Sequence, residues 1–236
     1  MCFSAGASFT AGAVISTIGV ASLREVSNPS QRLFAAIPLI FGIQQFAEGC
    51  LWLTLQNGDY AIIQKISAYV FLLTADALWP VIIPLSVLLL EEDSKRRKIL
   101  RILLFTGIIL ASYYAYFILF FTVTPQILNC HIYYDTFTPE SLMIPAFLIY
   151  LSVTITSLSV SSIKNLHVLG ILMFLSCVVS VIIYTKNTTS VWCFFAAVIS
   201  GMIYYIIIAS QPEFSPANLK LLKILSDHNP WKNRFH

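Results

Sequence analysis

The chain has 236 residues, of which 58% are hydrophobic and only 11% charged, and its formal net charge is +3 at pH 7. An average soluble domain carries about 25% charged residues, so this composition excludes an ordinary soluble fold. The charges are confined to short clusters between long apolar segments, which is the pattern of membrane spans and connecting loops. We therefore expect an all-α, polytopic membrane helix bundle whose main partner is the lipid bilayer.

Seven segments of the chain are predicted to be spans. A transmembrane helix needs about 20 predominantly apolar residues. The predicted spans are, in chain order, 5–23, 33–55, 66–90, 99–121, 141–160, 168–185 and 191–210. Because no basic leader precedes the first of them, we interpret it as a span and not as a secretion signal. Residues 1–210 are therefore expected to form a single seven-span transmembrane domain.

The basic residues of the connecting segments indicate an orientation. Two of the 14 Lys and Arg residues, Lys65 and Lys186, fall on the side of the N-terminus, and the other twelve fall on the opposite side. Those twelve are Arg24, Arg32, Lys95, Arg96, Arg97, Lys98, Arg101, Lys164, Lys220, Lys223, Lys232 and Arg234. Because basic loops are retained in the cytoplasm, the N-terminus is predicted outside and the C-terminus inside. The location is then the cytoplasmic (inner) membrane of the cell.

Small residues recur every four positions in the first span, at Ser8, Gly12 and Ser16, and the pattern returns at Ala197 and Gly201. Small residues at this spacing let two helices approach closely. The pattern predicts either packing within the bundle or a contact between copies in a homo-oligomer.

Residues 211–236 are predicted to be a cytoplasmic tail. Ser215 followed by Pro216 is a helix-start signature, and leucines recur every three residues after it. These features predict a short amphipathic helix that lies on the membrane surface. A helix that binds a partner protein is the alternative.

Two carboxyl groups lie inside predicted spans, Glu48 in the second and Asp76 in the third. A charge near the bilayer centre is costly, so such residues usually face the bundle interior and serve a function. At 1.5 Å per residue, Glu48 lies about 10 Å and Asp76 about 15 Å below the outer boundary. Adjacent antiparallel helices could therefore bring the two acids together in the outer half of the bundle.

The surroundings of the two acids are polar and aromatic. On the second span, Gln44, Gln45 and Trp52 share a face with Glu48. On the third span, Pro80 follows four residues after the acid, where it removes the hydrogen bond to the carbonyl of residue 76 and favours a kink. The candidate ligand- or ion-binding residues are Glu48, Asp76, Gln45, Gln44, Tyr113, Trp52 and Trp79.

Neither acid has a cationic partner deep in a predicted span. They are then either protonated and joined in a hydrogen-bond network between helices, or they bind an ion, a proton or a small ligand from outside. Both interpretations stay open from the sequence.

Cys2, Cys130 and His131 are predicted on the same outer side as the acids, the last two in a loop over 122–140. A disulfide between Cys2 and Cys130 is one interpretation, since the outer compartment is generally oxidising. A transition metal held by Cys2, His131 and Glu48 is another, although their spacing matches no recognised ligand pattern. A structural role for His131, bonded to loop backbone, is the alternative.

Missing motifs exclude several classes of protein. The seventh span has no lysine for a retinal Schiff base, and the chain lacks the histidine cluster of seven-span zinc hydrolases. It has no phosphate-binding loop, nucleophile elbow or kinase segment. Nothing indicates nucleic acid binding, and the sequence assigns no cofactor.

The opening Met1-Cys2-Phe3-Ser4-Ala5 resembles a family of uncharacterised bacterial multi-pass membrane proteins whose members begin Met-Cys-Phe/Trp-Ser-Ala. The stretches Gln45-x-x-Glu48-x-x-x-Trp52, Trp79-Pro80, His131 and Trp192-Cys193-Phe194 are similar as well. The resemblance covers most of the chain and implies a helical membrane architecture and a bacterial source, without an activity. It also implies that Cys2, Glu48 and His131 belong to one site.

The leading hypothesis is therefore a membrane transporter or sensor with an outward-facing polar pocket for a small molecule, ion or proton. An intramembrane enzyme, with or without a metal, is the second hypothesis. A structural subunit that docks another membrane protein is the third.

Overall fold

The computed structural model describes residues 4–55, 60–128, 131–163, 165–183 and 195–210. Within them the chain forms seven helices. In chain order these are α1 (Ala5–Arg24), α2 (Arg32–Thr54), α3 (Ala61–Leu90), α4 (Ser94–Phe120), α5 (Glu140–Val160), α6 (Leu166–Ile183) and α7 (Ala196–Ala209). A 3₁₀ turn over Pro29–Gln31 leads into α2.

Five of the helices are long and apolar enough to cross a membrane, namely α1, α2 with the turn before it, α3, α4 and α5. Each of the five has between 20 and 30 residues, and a span needs about 20. Helices α6 and α7 are apolar but shorter in the described part of the chain. The predicted apolar helix bundle is therefore confirmed, with five helices that meet the length of a span.

The segment predicted as a loop over 122–140 contains a β-hairpin, so the all-α prediction is wrong there. Strand β1 (Val123–Leu128) pairs antiparallel with β2 (His131–Thr136), in a register that places Val123 opposite Thr136 and Leu128 opposite His131. Both strands are rich in β-branched and aromatic residues, which favour extended backbone. Residues on β1 alternate between half-buried and exposed, as expected for a strand with one covered face.

The helices form a closed bundle. Helix α1 packs along α2, α2 packs on α3, and α3 packs on both α4 and α5. Helix α7 packs against α1, α2 and α6, which brings the last helix back to the first. The hairpin covers the end of the bundle where α2 ends and α3 begins, and we term this the hairpin end. The opposite end, where residues 91–93 join α3 to α4 and α4 begins with a cluster of basic residues, we term the basic end.

Small residues hold α1 and α2 together. Ser8, Gly12 and Gly19 of α1 are buried, and Gly12 lies against Phe46 of α2. A Cβ atom added at Gly42 of α2 would lie 2.1 Å from the Ser16 hydroxyl oxygen. The small-residue face of α1 is thus used for packing within the bundle. The second predicted small-residue face differs, because Gly201 of α7 has open space around it.

The middle of α3 is a π-helical turn over Leu73–Leu78. A π turn lets the helix continue while its hydrogen-bond ladder is shifted by one residue. The carbonyl of Ala75 inside the turn accepts a hydrogen bond from the Tyr150 hydroxyl of α5 at 2.8 Å. The kink predicted from Pro80 therefore takes the form of a π turn. A carbonyl of this turn accepts a hydrogen bond from a neighbouring helix.

Helix α4 makes a close approach to the same part of α3. A Cβ atom added at Gly107 would lie 2.0 Å from the Pro80 carbonyl oxygen. Pro84 has no N–H to bond that carbonyl within the helix. Glycine at position 107 therefore lets the backbone of α4 pack directly on the broken part of α3.

We expect Gly107→Ala to lower the free energy of unfolding by about 1–3 kcal/mol, because the added methyl group forces two packed backbones apart. Gly201→Ala is the matched control, since its methyl group enters open space and alanine favours a helix over glycine by up to about 1 kcal/mol. Thermal unfolding of both variants in detergent measures the difference. Equal melting temperatures would contradict the close approach of α4 to α3.

Candidate functional site

The polar face predicted on α2 lies inside the bundle. Gln44 and Glu48 are fully buried, Gln45 is 2% exposed and Trp52 is 8% exposed. Their spacing of three and four residues keeps these side chains on one side of the helix. Burying a carboxyl and two amides among apolar helices is unfavourable unless they are hydrogen-bonded. A binding role for this face is a prediction that the fold makes physically reasonable.

One hydrogen bond ties this face of α2 to α3. The Trp79 indole Nε1 donates to Gln44 Oε1 at 3.3 Å. The Trp79 ring also stacks on Phe41 of α2, with ring centroids 4.1 Å apart. Because Trp79 directly follows the π turn, these contacts set the position of that turn relative to Glu48, which lies one helical turn beyond Gln44.

Asp76 sits within the π turn itself and is half-buried. It lies close enough to Tyr114 of α4 for the two groups to interact electrostatically. The ring of Tyr113 meets that of Tyr114 edge-on, at 5.4 Å between centroids. Tyr113 was among the predicted site residues and Tyr114 was not, because helical depth alone does not distinguish two adjacent tyrosines.

Three buried donors of the predicted site have no hydrogen-bond partner among the residues that the structure describes. They are the Gln45 amide Nε2, the Trp52 indole Nε1 and the Tyr113 hydroxyl. A buried polar group left unbonded costs about 1–3 kcal/mol. The three unbonded donors all belong to residues of the predicted site.

The hairpin places His131 at the same end of α2 as Trp52. His131 is 5% exposed, and the next residue, Ile132, packs with Leu51, Trp52 and Ala68. Further along β2, the Tyr134 ring stacks on Phe71 of α3 with centroids 4.8 Å apart. The hairpin is therefore anchored over the ends of α2 and α3 by its buried side chains.

The predicted metal site and disulfide cannot be located, because Cys2 and Cys130 lie outside the described residues. Within the described residues, no group of three His, Cys, Asp or Glu side chains could hold a metal ion. His131 and Glu48 are both buried. The metal set of Cys2, His131 and Glu48 stays a prediction, as does the disulfide.

A second polar centre, not predicted from the sequence, lies at the basic end. Glu91 follows α3 and is 1% exposed. Its carboxylate accepts hydrogen bonds from the Ser161 hydroxyl at 3.0 Å, the Ser162 amide at 2.7 Å and the Ser162 hydroxyl at 2.5 Å. The Asp93 amide donates to it as well, at 3.1 Å. These bonds join the α3–α4 connection to the end of α5.

Two arginines reinforce this second centre through backbone carbonyls. Arg97 donates to the backbone oxygen of Glu91 at 2.8 Å and to that of Leu88 at 3.2 Å. Arg96 donates to the carbonyl of Val160, the last residue of α5, at 2.8 Å. Part of the basic cluster therefore caps helix ends, where cations are favourable, in addition to the orienting role expected of it.

The environment of Glu91 favours its charged form. Burial by itself raises the pKa of this carboxyl, but the hydrogen bonds from Ser162, Asp93 and Ser161 outweigh burial and lower the pKa to about 2. The signal in the sequence was an acid just after an apolar helix and a serine pair just after another. Only the fold shows that the two meet.

Comparison with known proteins assigns the chain to a family. The model of a family of unknown function, DUF6629, matches residues 1–218, so the chain belongs to that family. No curated protein and no solved structure matches the chain. The predicted resemblance to an uncharacterised family is confirmed to that extent, and the family supplies no activity.

We expect Glu91→Gln to lower the free energy of unfolding by about 2 kcal/mol near neutral pH, because hydrogen bonds to a charged group are lost. The pKa falls from 4.5 in the unfolded chain to about 2 in the folded protein. The stabilisation is therefore complete above pH 4.5 and disappears as the pH falls towards 2.

Unfolding in denaturant, followed across this acid range, measures the prediction. Glu92→Gln serves as the control, because Glu92 is exposed. A constant gap between the wild type and Glu91→Gln at every pH would contradict the assignment.

Proposed function

We propose that this member of the DUF6629 family is a seven-span protein of the cytoplasmic membrane that binds a small molecule, a cation or protons in an outward-facing polar pocket. Binding would serve transport or sensing. A bacterial source follows from the resemblance in the opening residues. The two shorter apolar helices, α6 and α7, are the sixth and seventh spans of the proposed topology.

The orientation rests on charge. The first two turns of α4, at the basic end, hold Lys95, Arg96, Arg97, Lys98 and Arg101. Basic residues next to spans are retained in the cytoplasm. The basic end therefore faces the cytoplasm, and the hairpin end, with Glu48 beneath it, faces outward.

The observation that carries the proposal is the buried polar face of α2. Glu48 is fully buried, and neighbouring Gln45 and Trp52 present donors that no described residue bonds. Carboxyl groups inside spans are costly and tend to mark ion or substrate sites. A ligand or water that accepts hydrogen bonds from these donors would remove the cost of leaving them unbonded.

The residues of the proposed pocket have different roles. Glu48 and Asp76 are the titratable groups, and Gln44, Gln45 and Tyr113 supply neutral hydrogen bonds. Trp52 and Trp79 give the pocket rigid aromatic walls, and Trp79 is held by Gln44. His131 lies in the hairpin that covers this end, and His131 and Cys2 are proposed to form part of the lid of the pocket. A homo-oligomer is proposed through the open face of α7 at Gly201.

Proton binding gives a direct test, since the proton is a probe that needs no knowledge of the ligand. Trp52 lies one turn from Glu48 on the same face, so we expect the tryptophan fluorescence of the purified protein to change as the carboxyl titrates. We expect Glu48→Gln to abolish that change, because glutamine keeps the shape and loses the titration. Glu92→Gln is the control and retains the wild-type response.

A Glu48→Gln protein with the wild-type pH response in fluorescence and in infrared carboxyl bands would overturn the proposal. Stable co-purification of a membrane partner, with Glu48 and Asp76 both replaceable, would instead favour the structural-subunit hypothesis. Bound zinc, copper or iron in elemental analysis, together with a reactive Cys2, would favour the enzyme hypothesis.

A further inference from the structure

A line of buried hydroxyl groups runs along one side of α5. Its members are Tyr150, Thr154 and Ser157 of α5 and Ser161, the residue directly after the helix, at spacings of four, three and four residues. Thr154 and Ser157 are fully buried, and the two outer members are 7% exposed. Since residues at these spacings share a helix face, the four hydroxyls form one continuous polar face, which we term the hydroxyl face.

Both ends of the hydroxyl face contact the segment that runs from Asp76 to Glu91. At one end, the Tyr150 hydroxyl donates to the carbonyl of Ala75, the residue next to Asp76. At the other end, the Ser161 hydroxyl donates to the Glu91 carboxylate. Helix α5 packs along the Trp79–Leu90 part of α3 between these two contacts. The hydroxyl face therefore runs beside α3 from Asp76 to Glu91.

The hydroxyl face is about as long as the part of the membrane that lies between the proposed pocket and the basic end. From Tyr150 to the end of α5 at Val160, the helix rises about 15 Å. The hydrocarbon core of a bilayer is about 30 Å thick. The hydroxyl face thus spans about half of the membrane, on the side of the basic end.

A purely structural explanation covers part of this pattern. Thr154 donates to the Tyr150 carbonyl at 2.9 Å and Ser157 donates to the Val153 carbonyl at 2.6 Å, as hydroxyls in apolar helices commonly do. Each hydroxyl oxygen still has lone pairs to accept a hydrogen bond. These hydrogen bonds to the preceding helical turn also do not explain why the buried carboxylate of Glu91 lies at the end of the hydroxyl face.

We propose that the hydroxyl face is the route by which protons pass between Asp76 and the basic end of the bundle. This inference rests on the proposed function, because the pocket supplies the protons. Side chains three or four residues apart lie about 5–6 Å from one another, so one water molecule between neighbours completes the chain. Each hydroxyl oxygen accepts a proton from the water before it, and its own proton turns from the acceptor that it bonds in the structure to the next water.

The balance of one passage is simple. One proton leaves the Asp76 carboxyl, and one proton appears on water beside Glu91, with no bond to carbon broken and nothing oxidised. The Glu91 carboxylate provides a fixed negative charge that stabilises a proton on that water. Arg96 and Arg97 bond backbone carbonyls, which leaves the carboxylate to its neutral donors.

Proton flux into liposomes tests the route. The full-length protein is reconstituted with a pH-sensitive dye inside, and a potassium gradient with valinomycin drives protons inward. We expect the double variant Thr154→Val and Ser157→Ala to lower the flux at least about tenfold, as loss of positioned proton-transfer groups does. We expect Thr154→Ser, which keeps a hydroxyl, to retain the wild-type flux.

The matched control removes two hydroxyls from the opposite side of the same helix. Ser152 and Ser159 are exposed and make the same back-bonds, to Leu148 at 2.8 Å and Ile155 at 2.9 Å. We expect Ser152→Ala with Ser159→Ala to leave the flux unchanged. If the first double variant fails to fold, Thr154→Val alone is measured, because valine has nearly the shape of threonine.

The outcomes separate this inference from the proposed function. A folded Thr154→Val, Ser157→Ala protein with wild-type flux overturns the route, and the pocket survives if Glu48→Gln still abolishes the fluorescence response. Wild-type protein that responds to pH without any flux also overturns the route alone. Wild-type protein with neither flux nor pH response overturns both.

Discussion

A polar group inside an apolar helix bundle has no water to bond, so the protein itself has to provide its partner. The centre of α3 shows the consequence. The π turn over Leu73–Leu78 leaves carbonyls outside the regular ladder, and Tyr150 reaches across from α5 to bond one of them. Further along α3, Gly107 lets α4 approach the carbonyl of Pro80, which has no helical donor because Pro84 lacks an N–H. The packing of α3, α4 and α5 is thus organised around two irregular positions of α3.

The same constraint separates two kinds of acid in this protein. Glu91 is buried, and its carboxylate accepts hydrogen bonds from neutral donors of three residues. It therefore joins the segment after α3 to the end of α5. At the hairpin end, Glu48 lies beside donors that the described residues leave unbonded. The two acids therefore differ in how completely the described residues bond the polar groups around them. This contrast is the physical basis for the pocket proposed at the hairpin end.

Much of the bundle could be predicted because apolar spans are a local property of the sequence. Runs of about 20 apolar residues identify helices without knowledge of their neighbours, and the spacing of Gln44, Gln45, Glu48 and Trp52 identifies a shared face. The hairpin was missed because six-residue strands give a weak pattern beside long apolar helices. Tyr114, Tyr150 and Glu91 were missed for another reason: each acquires its role from a partner on a different helix.

The sequence by itself determined that this is a chain of apolar helices, which residues inside them are polar, and which of those share a face. These follow from hydrophobicity and helical periodicity, which act over a few turns. Only the tertiary structure decided that Tyr150 bonds the π turn, that Ser161 and Ser162 enclose Glu91, and that the hairpin buries Ile132 against α2 and α3. The hydrogen bonds among these contacts join residues 70 to 75 positions apart, and packing selects such contacts among many pairings with similar local chemistry.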